Sequence, residues 1–390
     1  MSKRLRIEAF DFIRVLSMIG IILFHYSFSF VEYSVGGDHL VFALFNTGNW
    51  GAMFVAMFFM LSGAVLWYNY GEKIDIKKFY LKRWLSLFPM FYTAWLIVYI
   101  AGGIRKGNWL FGGPLYKLLY TVFGMDGFFL DPGVNSTYYL LGEWFLGAII
   151  FLYLLFPLVR FLFMPHEKTG VAIRWVFTLI LTVIFSMNLY RDWFHISDGK
   201  NLISCLMSFW LGMLVMEYYK PLLDPSKKKE TSPDGEVLKS LKAGTGSPDV
   251  KSGADKVRAV ITVLCLVVVI LLMYIPIPGF MWKETMMANI AGTLWFIVFM
   301  DLGERIMHVP YLSFVIKKLS EYSFGMFLVH HLMIYAVMKR YAMGEVSFAH
   351  SIVIYLVILV LTAVLGGLLS VYGSFITGRV LGADKKKKQK

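Results

Sequence analysis

The chain has 390 residues, of which 58% are hydrophobic and 17% aromatic, while only 16% are charged. Soluble domains average roughly 45–50% apolar and about 25% charged residues, so this composition excludes an ordinary soluble protein and predicts one embedded in lipid. The formal net charge of +13 does not indicate a nucleic-acid partner, because most lysines and arginines lie in segments on one predicted side of a membrane. The two cysteines lie inside apolar runs and exclude a disulfide framework.

Segments of about 20 apolar residues are long enough to cross a bilayer, and the sequence contains ten of them. They are predicted at residues 10–32, 50–69, 84–101, 138–159, 174–190, 202–219, 258–275, 287–302, 322–340 and 350–376. Lysine and arginine concentrate in alternate connecting segments and at both ends of the chain, as cytoplasmic segments do. The pattern therefore predicts an all-α, polytopic integral membrane protein with about ten transmembrane helices and with its N- and C-termini in the cytoplasm.

Three segments outside the predicted spans have a distinct composition. Residues 221–257 are polar and rich in Gly, Pro, Ser and Lys, which predicts a flexible cytoplasmic loop within a membrane domain of residues 1–380. Residues 381–390 contain a run of lysines, and such a basic cytoplasmic tail is expected to lie against anionic lipid headgroups. Residues 102–137 contain an apolar, aromatic stretch that would rest on the outer membrane surface or cap a cavity.

The first predicted span carries ionisable side chains on one face. Arg14 and His25 are 11 residues apart, which at roughly 100° per residue places them within about 20° of one another and about 16.5 Å apart along the helix. Asp11 lies near the same line. Ionisable groups inside a membrane cost roughly 2.5–3.5 kcal/mol each on insertion scales, so this stripe is a candidate functional site. By itself the stripe fits catalysis, proton coupling or a structural ion pair.

Five motifs follow one another along the chain. They are Arg-x10-His at Arg14 and His25, FFMLSG at 58–63, FYLKRWLSLFP at 79–89, WFLGAIIFLYLLFP at 144–157 and SFGMFLVHH at 323–331. Together with about ten spans, they resemble the membrane acyltransferase-3 family of bacterial and invertebrate O-acyltransferases over residues 6–340. Two positions depart from the family pattern: Ser86 stands where a second arginine is frequent, and Ile149 stands where many members carry a glutamate, which Glu143 would replace.

The resemblance implies a reaction. The chain would transfer an acyl group, in the first place acetyl, from cytoplasmic acyl-CoA to a hydroxyl of a cell-surface or lipid-linked glycan. It would do so in a bacterial plasma membrane, with no bound cofactor and no metal. His25 would take the proton of the acceptor hydroxyl, since a neutral histidine is well matched to that task near pH 7. Brief transfer of the acyl group to His25 is the alternative, although direct transfer needs fewer groups.

Basic residues near the predicted cytoplasmic face are the expected donor site. Arg14 would bind the phosphates of acyl-CoA, since a guanidinium pairs with phosphate through two hydrogen bonds. Its spacing from Asp11 also fits a structural ion pair. Lys82 and Arg83 lie at the predicted mouth of the third span, where a positive-inside anchor and a phosphate contact are the two interpretations. The family motif favours Arg83 for the phosphate contact.

Other polar residues have weaker expected roles. Glu143, at the start of the fourth span, would contact the acceptor or serve as an interfacial carboxylate. His330 and His331 are about 100° apart on a helix, so one is expected to face a cavity and the other to bond between helices. No zinc site of sensible spacing is visible. The pair Ser62–Gly63 predicts a close helix contact rather than a nucleophile.

A second class of function shares these features. An exporter or transporter of a polar or lipid-linked solute would use Arg14 and His25 for proton coupling or substrate binding. No internal repeat is visible, which disfavours a transporter with inverted repeats. Motifs of serine hydrolases, P-loop ATPases and dinucleotide-binding enzymes are not found in the sequence, so those classes have no support.

Overall fold

The computed structural model describes residues 6–45, 48–129, 136–142, 144–164, 168–191, 199–223, 248–275 and 283–387. In this part of the chain, the fold is all-α apart from two short antiparallel strands, β1 (Leu44–Phe45) and β2 (Gly48–Asn49). The helices in chain order are α1 (Ala9–Glu32), α2 (Trp50–Tyr70), α3 (Ile76–Lys106), α4 (Leu118–Val122), α5 (Asp126–Phe129), α6 (Trp144–Phe163), α7 (Lys168–Arg191), α8 (Leu202–Leu223), α9 (Pro248–Tyr274), α10 (Glu284–Ile306), α11 (Pro310–Met338) and α12 (Phe348–Lys387).

Nine helices among the described residues are long and apolar enough to cross a membrane, namely α1, α2, α3, α6, α7, α8, α9, α10 and α12. They confirm the prediction of an all-α polytopic membrane protein. The predicted span 322–340 lies largely in α11, which has 29 residues and is therefore about 43 Å long. This helix is not among the nine; it carries charged residues in its first half and two adjacent histidines in its second half.

Two polar segments contain more helix than their composition predicts. The prediction of a flexible loop over 221–257 is wrong at the C-terminal end of this range, since α9 already begins at Pro248. Proline is favoured at the first position of a helix, where no backbone donor is needed. Residues 224–247 of that loop lie outside the described residues. The tail expected at 381–390 continues α12 as far as Lys387, and lysines near a helix C-terminus interact favourably with the helix dipole.

Glycines allow the central helices to approach closely. A β-carbon added to Gly63 on α2 would lie 2.0 Å from the carbonyl oxygen of Phe209 on α8. One added to Gly212 on α8 would lie 1.9 Å from the carbonyl oxygen of Met60 on α2. These distances leave no room for a side chain, so the two backbones are in direct contact. The close helix contact predicted for Gly63 is therefore present. Helix α1 packs against α2, α10 and α11 and thus lies next to this central pair.

The described residues between the end of α3 and Phe129 lie against α3 and α6. The Tyr92 hydroxyl of α3 donates a hydrogen bond of 2.6 Å to the carbonyl of Val122 at the end of α4. The Asp126 side chain is fully buried and accepts a hydrogen bond from the Thr121 hydroxyl. Burial raises the pKa of Asp126 to about 6. The described part of this segment lines an open aromatic groove of about 820 Å³ together with α3 and α6, and its role, on the membrane surface or as a cap, stays a prediction.

Candidate functional site

A cavity of about 660 Å³, called here the large cavity, lies among α1, α2, α3, α6, α11 and α12. Its ionisable lining residues are Arg14, His25, Arg83, Glu321, His330 and His331. Helix α1 contributes both Arg14 and His25, as their spacing on a continuous helix requires. Because the rise between these residues is about 16.5 Å, the cavity has an arginine end and a histidine end.

Three histidines from two helices meet at the histidine end. The ring centroid of His25 lies 4.3 Å from that of His331 and 5.4 Å from that of His330. The two adjacent rings on α11 are 4.3 Å apart. Both of these histidines line the cavity, so the expectation that only one would face it is wrong. The cavity is wide enough around α11 to receive two side chains that differ by about 100° in direction.

The hydrogen bonding of His330 fixes which of its nitrogens is available. Its Nδ1 lies 2.6 Å from the carbonyl oxygen of Phe327, and because a carbonyl only accepts, Nδ1 carries the hydrogen. The side chain is buried, with 1% exposed, and Nε2 has no hydrogen-bond partner. The histidine end therefore contains at least one unpaired ring nitrogen.

The three rings raise the question of a metal site. His25, His330 and His331 each offer a nitrogen within 4.8 Å of the others. Nitrogen ligands of tetrahedral zinc, at about 2.0 Å from the metal, are about 3.4 Å from one another. Because 4.8 Å is an upper limit on the separation of these nitrogens, the three histidines could hold a metal ion, and the expected lack of a metal stays a prediction.

The arginine end is a hydrogen-bonded ion network. Arg14 Nη1 donates to the Ser320 hydroxyl at 2.9 Å, and this hydroxyl donates to Asp11 Oδ1 at 2.7 Å. Asp11 also accepts from Arg6 Nε at 2.8 Å and lies 3.6 Å from Arg14 Nη1. The ion pair of Arg14 with Asp11 is therefore present, while 30% of the Arg14 side chain stays exposed on the cavity side. A structural pair and a free guanidinium surface coexist in one residue.

The third helix brings one of its two candidate cations to the cavity. Arg83 lines the cavity, and its guanidinium lies 5.6 Å from the centre of the Tyr153 ring. Its Nε is buried without a hydrogen-bond partner. Lys82 is exposed and is not among the lining residues, because consecutive helical residues point about 100° apart. The structure therefore separates the two and leaves Lys82 outside the site.

The two positions that depart from the family motifs also line the large cavity. Ser86 donates a hydrogen bond of 2.8 Å to the carbonyl of Arg83 within α3. Ile149 is 3% exposed and contributes an apolar wall. The cavity thus has a hydroxyl and an alkyl side chain at the two positions where the resemblance noted above leads one to expect an arginine and a glutamate.

Glu143 lies outside the described residues, although Gly142 and Trp144 on either side of it line the cavity. Helix α6 begins at Trp144 and not at the predicted residue 138, because Gly142 has a φ of +75° that interrupts a helix. A β-carbon added to Gly142 would lie 2.5 Å from Cδ2 of His331. This glycine therefore lets the backbone pack directly on a histidine ring of the site.

A second cavity of about 230 Å³, called here the small cavity, adjoins the large one. His25 and Trp144 line both cavities. The polar side chains of the small cavity are Asn49, Lys200, Ser204, Ser208, Glu284, Thr285 and Asn289. None of these seven residues belongs to a sequence motif, and only their positions at helix starts or in apolar helices set them apart. Chemically, the arrangement offers a base, His25, that is accessible from two compartments of different size and polarity.

Comparison with protein families gives one match. A family model described as an acyltransferase domain, that of acyltransferase-3, matches residues 7–377. The match spans nearly the whole chain and includes all the lining residues of both cavities except Gly378. Neither the curated proteins nor the solved structures gave a match.

Proposed function

The chain belongs to the acyltransferase-3 family and is a membrane acyltransferase. On this premise we propose that it moves an acyl group, in the first place acetyl, from acyl-CoA to a hydroxyl of a cell-surface or lipid-linked glycan. The observation that supports this most directly is the position of His25, which lines two cavities at once. A base in that position can contact a donor in one cavity and an acceptor in the other. The orientation of the chain in the membrane stays a prediction, with the arginine end towards the cytoplasm.

The donor would occupy the large cavity. Arg14 and Arg83 both line it, and guanidinium is well suited to the diphosphate of CoA. The rise of about 16.5 Å along α1 leaves room for a long flexible arm between the phosphates and a thioester beside His25. With a volume of about 660 Å³, the cavity is in the range of ordinary small-molecule sites, about 300–1,000 Å³.

The chemical step needs one group to take and return a proton. A ring nitrogen of His25 takes the proton of the acceptor hydroxyl while the hydroxyl oxygen attacks the thioester carbonyl. The resulting tetrahedral intermediate collapses, the carbon–sulfur bond breaks, and the proton passes from His25 to the CoA thiolate. The products are an ester and free CoA thiol, and His25 is neutral again.

Purified protein with radiolabelled acetyl-CoA and the membrane fraction of the producing cells tests this proposal. His25→Ala should lower the transfer of label to glycan by at least about 100-fold, since general bases contribute typically 10²–10⁴-fold, and should leave acetyl-CoA binding unchanged. His308→Ala is the matched control, because that histidine is exposed and lies in neither cavity. Retained activity of His25→Ala would remove the base from the mechanism. Solute counterflow without any thioester turnover would instead favour a transporter.

A further inference from the structure

We infer that the small cavity is the acceptor subsite and that it holds a single hydroxyl-bearing ring, one sugar residue of a glycan, with a hydroxyl directed at His25. This inference rests on the proposed function and adds to it the residues that select the acceptor. Its starting point is that His25 and Trp144 line both the large cavity and the small cavity.

The size of the small cavity limits its occupant. At about 230 Å³ it is smaller than the sites of drug-sized ligands, about 300–1,000 Å³, and far too small for CoA. It is several times larger than the share of one water molecule in the liquid, about 30 Å³. One six-membered ring with its substituents is a molecule of the matching size.

The lining of the small cavity is mainly apolar but includes polar side chains held in fixed orientations. Asn289 is fixed in orientation, since its Oδ1 accepts from the Ser208 hydroxyl at 2.7 Å and its Nδ2 donates to the Thr285 carbonyl at 3.0 Å. Asn49 donates to the Glu284 carboxylate across the cavity, with Asn49 Oδ1 also accepting the Ala52 backbone N–H at 2.6 Å. Side chains held in this way present donors and acceptors at set positions, as sites for hydroxyl-rich ligands require.

Ser204 provides an unpaired polar group in the lining of the small cavity. Its side chain lines the small cavity and is buried, with 2% exposed, and its hydroxyl has no hydrogen-bond partner in the described part of the chain. Buried hydroxyls in proteins are nearly always paired. A sugar hydroxyl, which both donates and accepts, would complete this group.

Two further residues make the cavity suitable for a ring. Trp144, which lines both cavities, offers an aromatic face, and the Lys200 ammonium lies 5.8 Å from the centre of that face. Lys200 has no acidic partner among the described residues and is exposed. An exposed ammonium at the rim can donate to ring hydroxyls without the cost of a fully buried charge.

Ser204→Ala tests the proposed acceptor subsite by removing only the hydroxyl oxygen of Ser204. Transfer of radiolabelled acetyl to the glycans of the native membrane should fall about tenfold, as expected for the loss of a neutral hydrogen bond to a buried group, while binding of acetyl-CoA stays unchanged. Ser17→Ala is the matched control, since Ser17 is also a buried helical serine without a hydrogen-bond partner but lies in neither cavity. It should transfer acetyl like the wild type.

Lys200→Met is a second test of the acceptor subsite. Because Lys200 is exposed, this substitution does not disturb the packing around Ser204. Transfer should fall again with donor binding intact, and Lys339→Met, exposed and outside both cavities, should have no effect. Wild-type transfer in both Ser204→Ala and Lys200→Met would overturn the acceptor subsite and leave the proposed function standing. A wild-type protein that neither binds acetyl-CoA nor labels any glycan would overturn the proposed function itself.

Discussion

At the arginine end of the large cavity Arg14, Ser320 and Asp11 bond to one another, whereas at the histidine end an acceptor atom of His330 has no partner in the described part of the chain. Arg14 is held by Ser320, which in turn donates to Asp11. The Nε2 of His330, by contrast, is buried without a partner. A network whose members satisfy each other favours one fixed geometry, which suits the binding of a large charged group. A site that must accept a proton needs an unpaired nitrogen. The comparison suggests that binding and chemistry are divided between the two ends of the same helix.

The division is tested most strongly by Arg14→Ala. If the arginine end binds the donor, affinity for acetyl-CoA should fall about 10- to 100-fold, because charge-assisted hydrogen bonds contribute about 1.5–3 kcal/mol each. Isothermal titration calorimetry of the detergent-solubilised protein measures the affinity for acetyl-CoA. Lys106→Ala, an exposed cation outside both cavities, is the control. Unchanged affinity would reduce Arg14 to the structural partner of Asp11.

His330→Ala acts at the other end. The centroid of its ring lies 5.8 Å from that of Phe327 and 5.4 Å from that of His25. The ring therefore packs between Phe327 and the two other histidines. Removing it frees the His25 ring to rotate, so kcat should fall about tenfold while KM for acetyl-CoA stays the same. Steady-state kinetics over a range of acetyl-CoA concentrations separate the two parameters. A rise in KM alone would contradict the division between the ends.

The smallest effect is expected from comparing Arg83→Ala with Lys82→Ala. Arg83 lines the cavity and its neighbour does not, so the first variant should weaken acetyl-CoA binding several-fold. The second should leave it within about twofold, because an exposed cation at a membrane surface contributes little to a distant site. The same titration measures both. Equal losses in the two variants would mean that the phosphates bind at the surface and not within the cavity.

Much of the architecture is predictable from sequence because its causes are local. Apolar runs of sufficient length predict the spans, and nine apolar helices among the described residues agree with them. The helical repeat places Arg14 and His25 on one face, and both do line one cavity. A small residue such as Gly63 predicts a close helix contact, and the carbonyl of Phe209 lies against it.

The remainder of the site depends on which helices are neighbours. His25 and His331 are far apart in the sequence, and nothing in either motif indicates that their rings lie 4.3 Å apart. Ser320 lies in the polar first half of α11 and outside every sequence motif, yet it joins Arg14 to Asp11. Ser204 is one small residue in an apolar helix, and only its burial beside a cavity distinguishes it.

By itself, therefore, the sequence determined three features: a membrane-embedded helical protein, the stripe of Arg14 and His25, and the likeness to a family of acyltransferases. It could do so because hydrophobicity and helical periodicity act over one segment at a time. The tertiary structure decided that α11 brings two histidines to His25, that Lys82 stays outside, and that a small polar cavity adjoins the large one. Those features arise where separate helices pack, and packing is set by the shapes of all the partners together.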